Sequence, residues 1–345
     1  MSSRLRIAQV APVANPVTPH STASIEQLVW LLTEELVRRG HDVTLCAAGD
    51  SQTSAALHAV YPRGYENDPG LWDWQLHESA HVASVFERAG DFDVIHSHVY
   101  HFALPFVRLV CTPVVHTYHV MPDEDVLAVF GRYPEAHVAA LSQYQRRAYR
   151  GVADVTVVPN GIDTSAFPFG PGRGEDLLFL GRILPDKGPV EAIELAKRVG
   201  MPLVLAGPNH EDRDYFRSRV EPLIDGRRVR YVGPVGVAER NRLLAGAAAL
   251  LYPVLDPEPF GLVLVEAMAC GTPVVARGLG AVPELVEDGV TGYVTPDVES
   301  MAQRIPDALA LDRARVRRAA VDRFDYRRMA DGYEALYRRL VSGEW

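Results

Sequence analysis

The chain has 345 residues, 48% hydrophobic and 23% charged, the composition of a soluble globular protein of about two domains. Its net charge of −9 disfavours a nucleic-acid partner, because phosphate binding calls for a basic surface. The N-terminal MSSRLRIAQVAP is too short and interrupted for a signal peptide, and no apolar run approaches the roughly 18 residues of a membrane span. With Cys46, Cys111 and Cys270 in apolar context and no C-x-x-C or zinc spacing, a cytoplasmic protein with buried free thiols is predicted.

In the first half, β-branched runs predict strands near Leu5–Ala11, Asp42–Cys46, Asp93–His96, Pro113–Thr117, Val138–Leu141 and Val155–Val158. Helices are predicted near Ser24–Arg39, Leu76–Arg88, His101–Leu109 and Gln143–Tyr149. The helix from Ser24 has the clearest pattern: Ser24 can cap it, Ile25, Leu28, Val29, Leu32 and Leu36 share a face, and Gly40 ends it. FPFGPGRGED, which follows NGID at 160–163, has the proline and glycine density of a linker. The alternation then restarts, with strands near Leu177–Leu180, Leu203–Leu205, Val229–Val232, Ala249–Tyr252, Pro273–Ala276 and Gly292–Val294. Intervening helices are predicted near Val190–Val199, Asp212–Leu223, Ala238–Ala245, Leu262–Ala269 and Val282–Val286. Helices near Ala308–Asp322 and Tyr326–Leu340 close the chain, and their many arginines, mixed with acids, read as a solvated face. Such alternation calls for parallel sheets covered on both faces, with ligands at the carboxyl ends of strands.

Two segments carry chemistry. In PEPFGLVLVEAMACGTPVV, residues 257–275, a helix starting after Gly261 turns the Gly261 and Leu262 amides outward as an anion site. Glu258 lies in the loop before it and Glu266 about one turn in; the pair suits a ligand with hydroxyls and phosphate, or simply flanks a helix start on the surface. In FLGRILPDKG, residues 179–188, Arg182 and Lys187 follow a strand end and are placed to clamp a diphosphate, or are solvated loop bases.

In this order and spacing the two segments resemble the retaining GT-B glycosyltransferases of family 4, whose pattern is G-R-x-x-x-x-K-G followed by E-P-F-G-L-x-x-x-E-A-M-A-x-G-x-P-V. RGHDVTL at 39–45, DVIHSH at 93–98, VPNGID at 158–163 and Pro283-Glu284-Leu285 before EDGVTG fit the same pattern. The resemblance implies an α/β GT-B fold, two Rossmann-like parallel-sheet lobes facing across a central cleft. Residues 1–165 would form the acceptor-side lobe, 166–325 the donor lobe, and 326–345 a helix packing back onto the first. It implies metal-independent, retaining transfer from a nucleoside-diphosphate sugar to a small-molecule acceptor, with no cofactor.

Carried over residue by residue, Arg182 and Lys187 would hold the donor diphosphate together with Gly261 and Leu262. Glu258, Phe260 and Gly261 would meet the donor sugar, Glu266 the ribose, and the backbone near Gly233 and Val235 the base. His119 in VVHTYH would be catalytic beside Glu258. Ser24, His98, Asp123 and Ser142 are candidates for the acceptor side; the acidic run Asp123-Glu124-Asp125 either steers a cationic acceptor or is a solvated helix start, where acids are favoured. Ala23-Ser24 stands where many relatives have Gly-Gly, and Val120 where Gly is common, which alters the approach to the first lobe. Residues 1–165 hold 11 Lys+Arg against 18 Asp+Glu and no lysine, which argues for a soluble acceptor over an anionic lipid. A GT-B epimerase or phosphorylase, or a non-catalytic nucleotide-sugar binder, is the alternative. APVANPVTP after the first strand argues against a nicotinamide dehydrogenase.

Overall fold

The computed structural model describes residues 4–21, 24–68, 70, 73–172 and 174–344. The chain divides into two units: residues up to Gly161 together with those from Tyr326 onward, and Ile162–Asp325. Among the described residues the first unit holds a seven-stranded sheet of β1 (Arg6–Val10), β2 (Asp42–Cys46), β3 (Ala56–His58), β4 (Val94–Ser97), β5 (Val114–His116), β6 (His137–Ala140) and β7 (Asp154–Val157). Its order is β3-β2-β1-β4-β5-β6-β7, with parallel pairing throughout. The second holds six strands: β8 (Leu177–Leu180), β9 (Leu203–Ala206), β10 (Val229–Tyr231), β11 (Ala249–Tyr252), β12 (Val274–Arg277) and β13 (Gly292–Thr295). They run in the order β10-β9-β8-β11-β12-β13, also parallel.

Parallel strands buried on both faces need continuous apolar runs, and β9 (LVLA) and β11 (ALLY) are buried at every position. The strand order reverses between β1 and β4 in the first unit and between β8 and β11 in the second. The helices there leave the sheet in opposite directions, and a crevice opens at the strand ends. The helix Ser24–Arg38 buries Leu28, Val29, Leu32 and Leu36 as its spacing predicts. The C-terminal helix Tyr326–Val341 packs beside it, and Arg39 reaches Asp331 at 2.8 Å and Glu334 at 2.9 Å.

Several elements differ from the sequence reading. His101–Leu109 forms turns around a short 3-10 segment at Leu104–Phe106 rather than a helix, because Pro105 lacks an amide proton. The three-residue edge strand β3 has no alternating pattern to announce it. The helix predicted over Ala308–Asp322 begins at Arg313, capped by Asp312, and runs to Phe324, and it is preceded by a helix, Val298–Leu309, that the sequence reading missed. Cys46 and Cys270 are buried thiols, but Cys111 is exposed.

The C-terminal arginines are not all a solvated face. Arg313 is 7% exposed and donates to the Ala245, Ala247 and Gly170 carbonyls and to the Thr272 hydroxyl. Arg317 donates to Phe167 and Ala269, and Arg323 to Glu284 and Leu285. A planar five-donor guanidinium is suited to satisfying the orphan carbonyls at helix ends. The segment read as a linker is held down by the same contacts, since Gly170 also donates its amide to the Cys270 carbonyl.

Candidate functional site

At the switch point of the second unit, the loop after β8 and the loop after β11 converge. Lys187 closes the 3-10 turn Pro185–Lys187, and its Nζ donates to Glu258 Oε1 at 2.5 Å and lies 2.8 Å from Asp186 Oδ2. Tyr252, the last residue of β11, donates its hydroxyl to the other Glu258 oxygen. Burial pulls the Lys187 ammonium down, but Glu258 and Asp186 outweigh it and hold it above the ordinary lysine value. Burial and the neighbouring Glu258 carboxylate push the Tyr252 phenol well above its usual range. The result is a fixed cation, a fixed carboxylate and a neutral phenol within one hydrogen-bonded cluster.

The backbone around Glu258 is held as firmly. Ala281 donates its amide to the Glu258 carbonyl at 3.1 Å. Gly280, with φ +64, passes so close that a Cβ there would fall 2.5 Å from that oxygen. The helix Leu262–Ala269 starts three residues after Glu258 on Gly261, whose φ of +125 only glycine adopts easily. Its first amides have no acceptor within the helix, so Gly261 and Leu262 sit at a partly positive N-terminus. Glu266, one turn in, is buried, which raises its pKa, while Arg240 at 3.3 Å favours its ionised form.

The remaining candidates of this unit fall elsewhere. The Phe260 ring is 3% exposed and packs edge-on against Phe324, so it anchors the loop. Arg182 is half exposed and pairs with Glu211 at 2.9 Å, not with the Lys187 cluster. Gly233 takes φ +77 in the loop after β10 and its carbonyl accepts from Gly207, with half-buried Val235 two residues on. Tyr252 and Arg240 were not singled out in the sequence. A tyrosine at the end of an apolar strand near the Glu258 loop is the only signal that could have found the first, and Arg240 has none.

In the first unit the switch point between β1 and β4 gathers histidines. His119, in the loop after β5, lies with Nε2 3.0 Å from His98 Nδ1, and the rings stack at 5.3 Å. His98 is 3% exposed and its Nε2 meets Gln9 Oε1 at 3.1 Å, so both its ring nitrogens are engaged. Burial lowers the His119 pKa to about 4. Ser24, Asp123 and Ser142 each sit at the start of a helix. Asp123 accepts from the Val126 amide at 2.8 Å, and Ser142 accepts from the Gln145 amide at 3.1 Å. Ala23 lies outside the described residues, and Val120 is exposed. Among the described residues no three His, Cys, Asp or Glu side chains are grouped to hold a metal ion.

Glu78, from the helix Trp74–Phe86, is buried against the loop after β1 and accepts from the Val13 amide at 3.0 Å. Burial pushes its carboxyl up to about 8. The folded protein therefore keeps this proton between the ordinary carboxylate range and about pH 8, whereas the unfolded chain releases it. Stability must fall as pH rises through that window. Glu78→Gln keeps the shape without the titration. We expect the variant to lose less stability than the parent between pH 6 and 8.5, by a few kcal/mol on denaturant titration. Parallel losses would show that Glu78 does not carry the effect.

Two family models together match most of the chain: Glycosyltransferase Family 4 over residues 25–166 and Glycosyl transferases group 1 over residues 165–322. The chain is 31% identical to a phosphatidyl-myo-inositol mannosyltransferase of Mycolicibacterium smegmatis, over 93% of this chain and 90% of that protein. It is 27% identical to a D-inositol 3-phosphate glycosyltransferase of Mycobacterium avium, over 97% and 94%. Among solved structures it is similar to AviGT4, a glycosyltransferase involved in avilamycin A biosynthesis, at 29% identity and a TM-score of 0.73, covering 98% of each chain.

Proposed function

The chain belongs to the family 4 glycosyltransferases of GT-B fold, and on that premise we propose that it moves a sugar from a nucleoside-diphosphate sugar to a hydroxyl of a soluble acceptor, with retention of anomeric configuration. The observation that carries this reading is the Lys187–Glu258–Tyr252 cluster beside the helix N-terminus at Gly261. Lys187 and the Gly261 and Leu262 amides neutralise the diphosphate, whose charge grows as the bond to the sugar breaks. Glu258 accepts hydrogen bonds from the sugar hydroxyls, and Glu266 from the ribose. Arg182 is free to exchange Glu211 for a phosphate oxygen, and the loop at Gly233 and Val235 offers backbone groups to the base. In the first unit His119 presents Nδ1 to a substrate hydroxyl.

In the proposed reaction the bond from the anomeric carbon to the phosphate oxygen breaks. The acceptor oxygen bonds to that carbon on the same face, and its proton passes to the departing diphosphate. A fixed ammonium and a helix N-terminus supply the positive charge that a metal ion would otherwise bring, so the reaction needs none.

A soluble acceptor is supported by the helix Ser24–Arg38 and its flank. Arg38 is paired with Glu35, and Arg39 with Glu35, Asp331 and Glu334, which leaves the helix no unpaired cation for an anionic lipid. Among the described residues no helix is long and apolar enough to cross a membrane.

The test is proton NMR of the first product formed from α-linked nucleoside-diphosphate hexoses and a panel of polyhydroxylated acceptors, with and without chelator. The expected product carries an α linkage at an unchanged rate in chelator. A β linkage would overturn retention, and loss of turnover in chelator would overturn the metal-free reaction.

A further inference from the structure

Glu266, one turn into the helix Leu262–Ala269, is 8% exposed, yet among the described residues no protein group donates a hydrogen bond to its carboxylate at normal length. The one cation paired with it there is Arg240, from the helix Val237–Gly246, whose Nη1 lies 3.3 Å from Glu266 Oε1. Arg240 is itself held in place. Its Nε donates to Asn241 Oδ1 at 3.3 Å, and its guanidinium lies over the Phe167 ring, 5.4 Å from the centroid. Asn241 in turn donates from Nδ2 to the Ala166 carbonyl at 2.9 Å, so the stretch Ala166-Phe167 anchors both side chains.

The other charged and titratable groups on the elements packed against this helix are engaged elsewhere. Arg313, Arg317 and Arg323, from the helix Arg313–Phe324, donate to carbonyls, and so does Arg277 at the end of β12. Arg242 pairs with Glu239, and Tyr252 donates to Glu258. Burial pushes the Cys270 thiol up to about 12, so it is neutral. Burial also raises the Glu266 pKa, and Arg240 is the charge that opposes the rise. A buried carboxylate that loses its cation recovers by taking up a proton. The distinction matters to a diol. An ionised carboxylate offers both oxygens to two adjacent hydroxyls in charge-assisted bonds, whereas the acid carries a proton on one of them and makes weaker, neutral bonds.

We propose that Arg240 is a positioning residue that holds the Glu266 carboxylate for the paired 2′- and 3′-hydroxyls of the donor ribose. Its role in binding rests on the reading of Glu266 given above; the ion pair itself does not. A guanidinium stacked on Phe167 and tied through Asn241 to the chain is a fixed charge, so the carboxylate is in place before the nucleotide arrives.

The test is calorimetric titration of uridine, guanosine and adenosine diphosphates, each beside its 2′,3′-dideoxy counterpart, between pH 6 and 9. The samples are the parent, Arg240→Met, Arg240→Lys and Glu266→Gln, each with a thermal melt. In the parent the ribose form of the nucleotide that binds should be roughly tenfold tighter than the dideoxy form across this range. In Arg240→Met the ratio should fall to about twofold at pH 6 and climb as pH rises, because the more basic carboxyl ionises again only at higher pH. Arg240→Lys keeps the charge and should keep most of the ratio at pH 7. A second measurement follows the Glu266 carboxyl directly by ¹³C NMR of glutamate-labelled protein, assigned by the signal missing from Glu266→Gln. It should titrate about one pH unit or more higher in Arg240→Met than in the parent. An unmoved titration overturns the hold. A parent-like ratio in Arg240→Met at every pH, or an equal loss of both ligand forms, overturns the positioning role. If Glu266→Gln keeps the full ratio, the ribose reading fails and takes that role with it, while the carbon titration still decides the ion pair.

Discussion

Lys187→Ala should lower turnover roughly a thousandfold and weaken nucleoside-diphosphate binding with it, the size of loss that follows removal of one preorganised charge partner from a transition state. The ammonium is held by Glu258 and Asp186 before any ligand arrives, so no reorganisation is needed when the diphosphate charge develops. Its removal leaves two carboxylates facing the anion they would otherwise be shielded from. Lys187→Arg should recover little, because a planar fork cannot replace a point charge in the turn Pro185–Lys187. The pair is partly exposed, with side-chain exposures of 17% and 22%, so the fold should survive at a cost of about 1–3 kcal/mol. Steady-state kinetics and a thermal melt on the same sample separate the two effects. Near-normal turnover would remove Lys187 from the site.

Glu258→Ala should cost a similar roughly thousandfold in kcat but leave nucleoside-diphosphate affinity close to that of the parent. The reason is a difference in what each partner touches in the proposed complex: there Lys187 meets the phosphate, whereas Glu258 meets sugar hydroxyls and, as the structure shows, holds Lys187. Tyr252→Phe removes only the donor to the second carboxylate oxygen, so it should give a smaller loss, on the order of tenfold. A Glu258 variant that loses nucleotide affinity and kcat together would make Glu258 a support for Lys187 and nothing more. A variant with unchanged kcat would exclude it from the reaction.

The placement of the second unit's candidate residues was legible because they are close in sequence to recognisable turns. Gly261 at a helix start, Glu258 before it, Glu266 within it and Lys187 after a strand all announce themselves by spacing. Tyr252 and Arg240 did not: Tyr252 meets Glu258 only because the loop after β11 folds back over the strand end, and Arg240 meets Glu266 only through the packing of the helix Val237–Gly246 against Leu262–Ala269. The same holds in the first unit. His98 and His119 were singled out separately; their contact comes from β4 lying beside β5, and Gln9 and Tyr337 join this region only through the β1–β4 switch point and the packing of the C-terminal helix. Arginine density misled in a different way. Composition suggested a solvated face, whereas Arg313, Arg317 and Arg323 serve helix-end carbonyls, a role invisible without the ends themselves. The misread His101–Leu109 segment shows one proline outweighing an otherwise helical pattern.

The most direct test of the central claim, that the Lys187–Glu258–Tyr252 cluster and the adjoining helix N-terminus hold a nucleoside-diphosphate sugar, needs no acceptor. It is a thermal-shift titration of the parent and Lys187→Ala with uridine, guanosine and adenosine diphosphates and their hexose conjugates. A ligand at a hundred times its Kd stabilises the folded state by about 2.7 kcal/mol. The account predicts a saturable rise of a few degrees in the parent with at least one of these nucleotides, and its loss in Lys187→Ala. No shift with any of them, or a shift that Lys187→Ala retains in full, would contradict it.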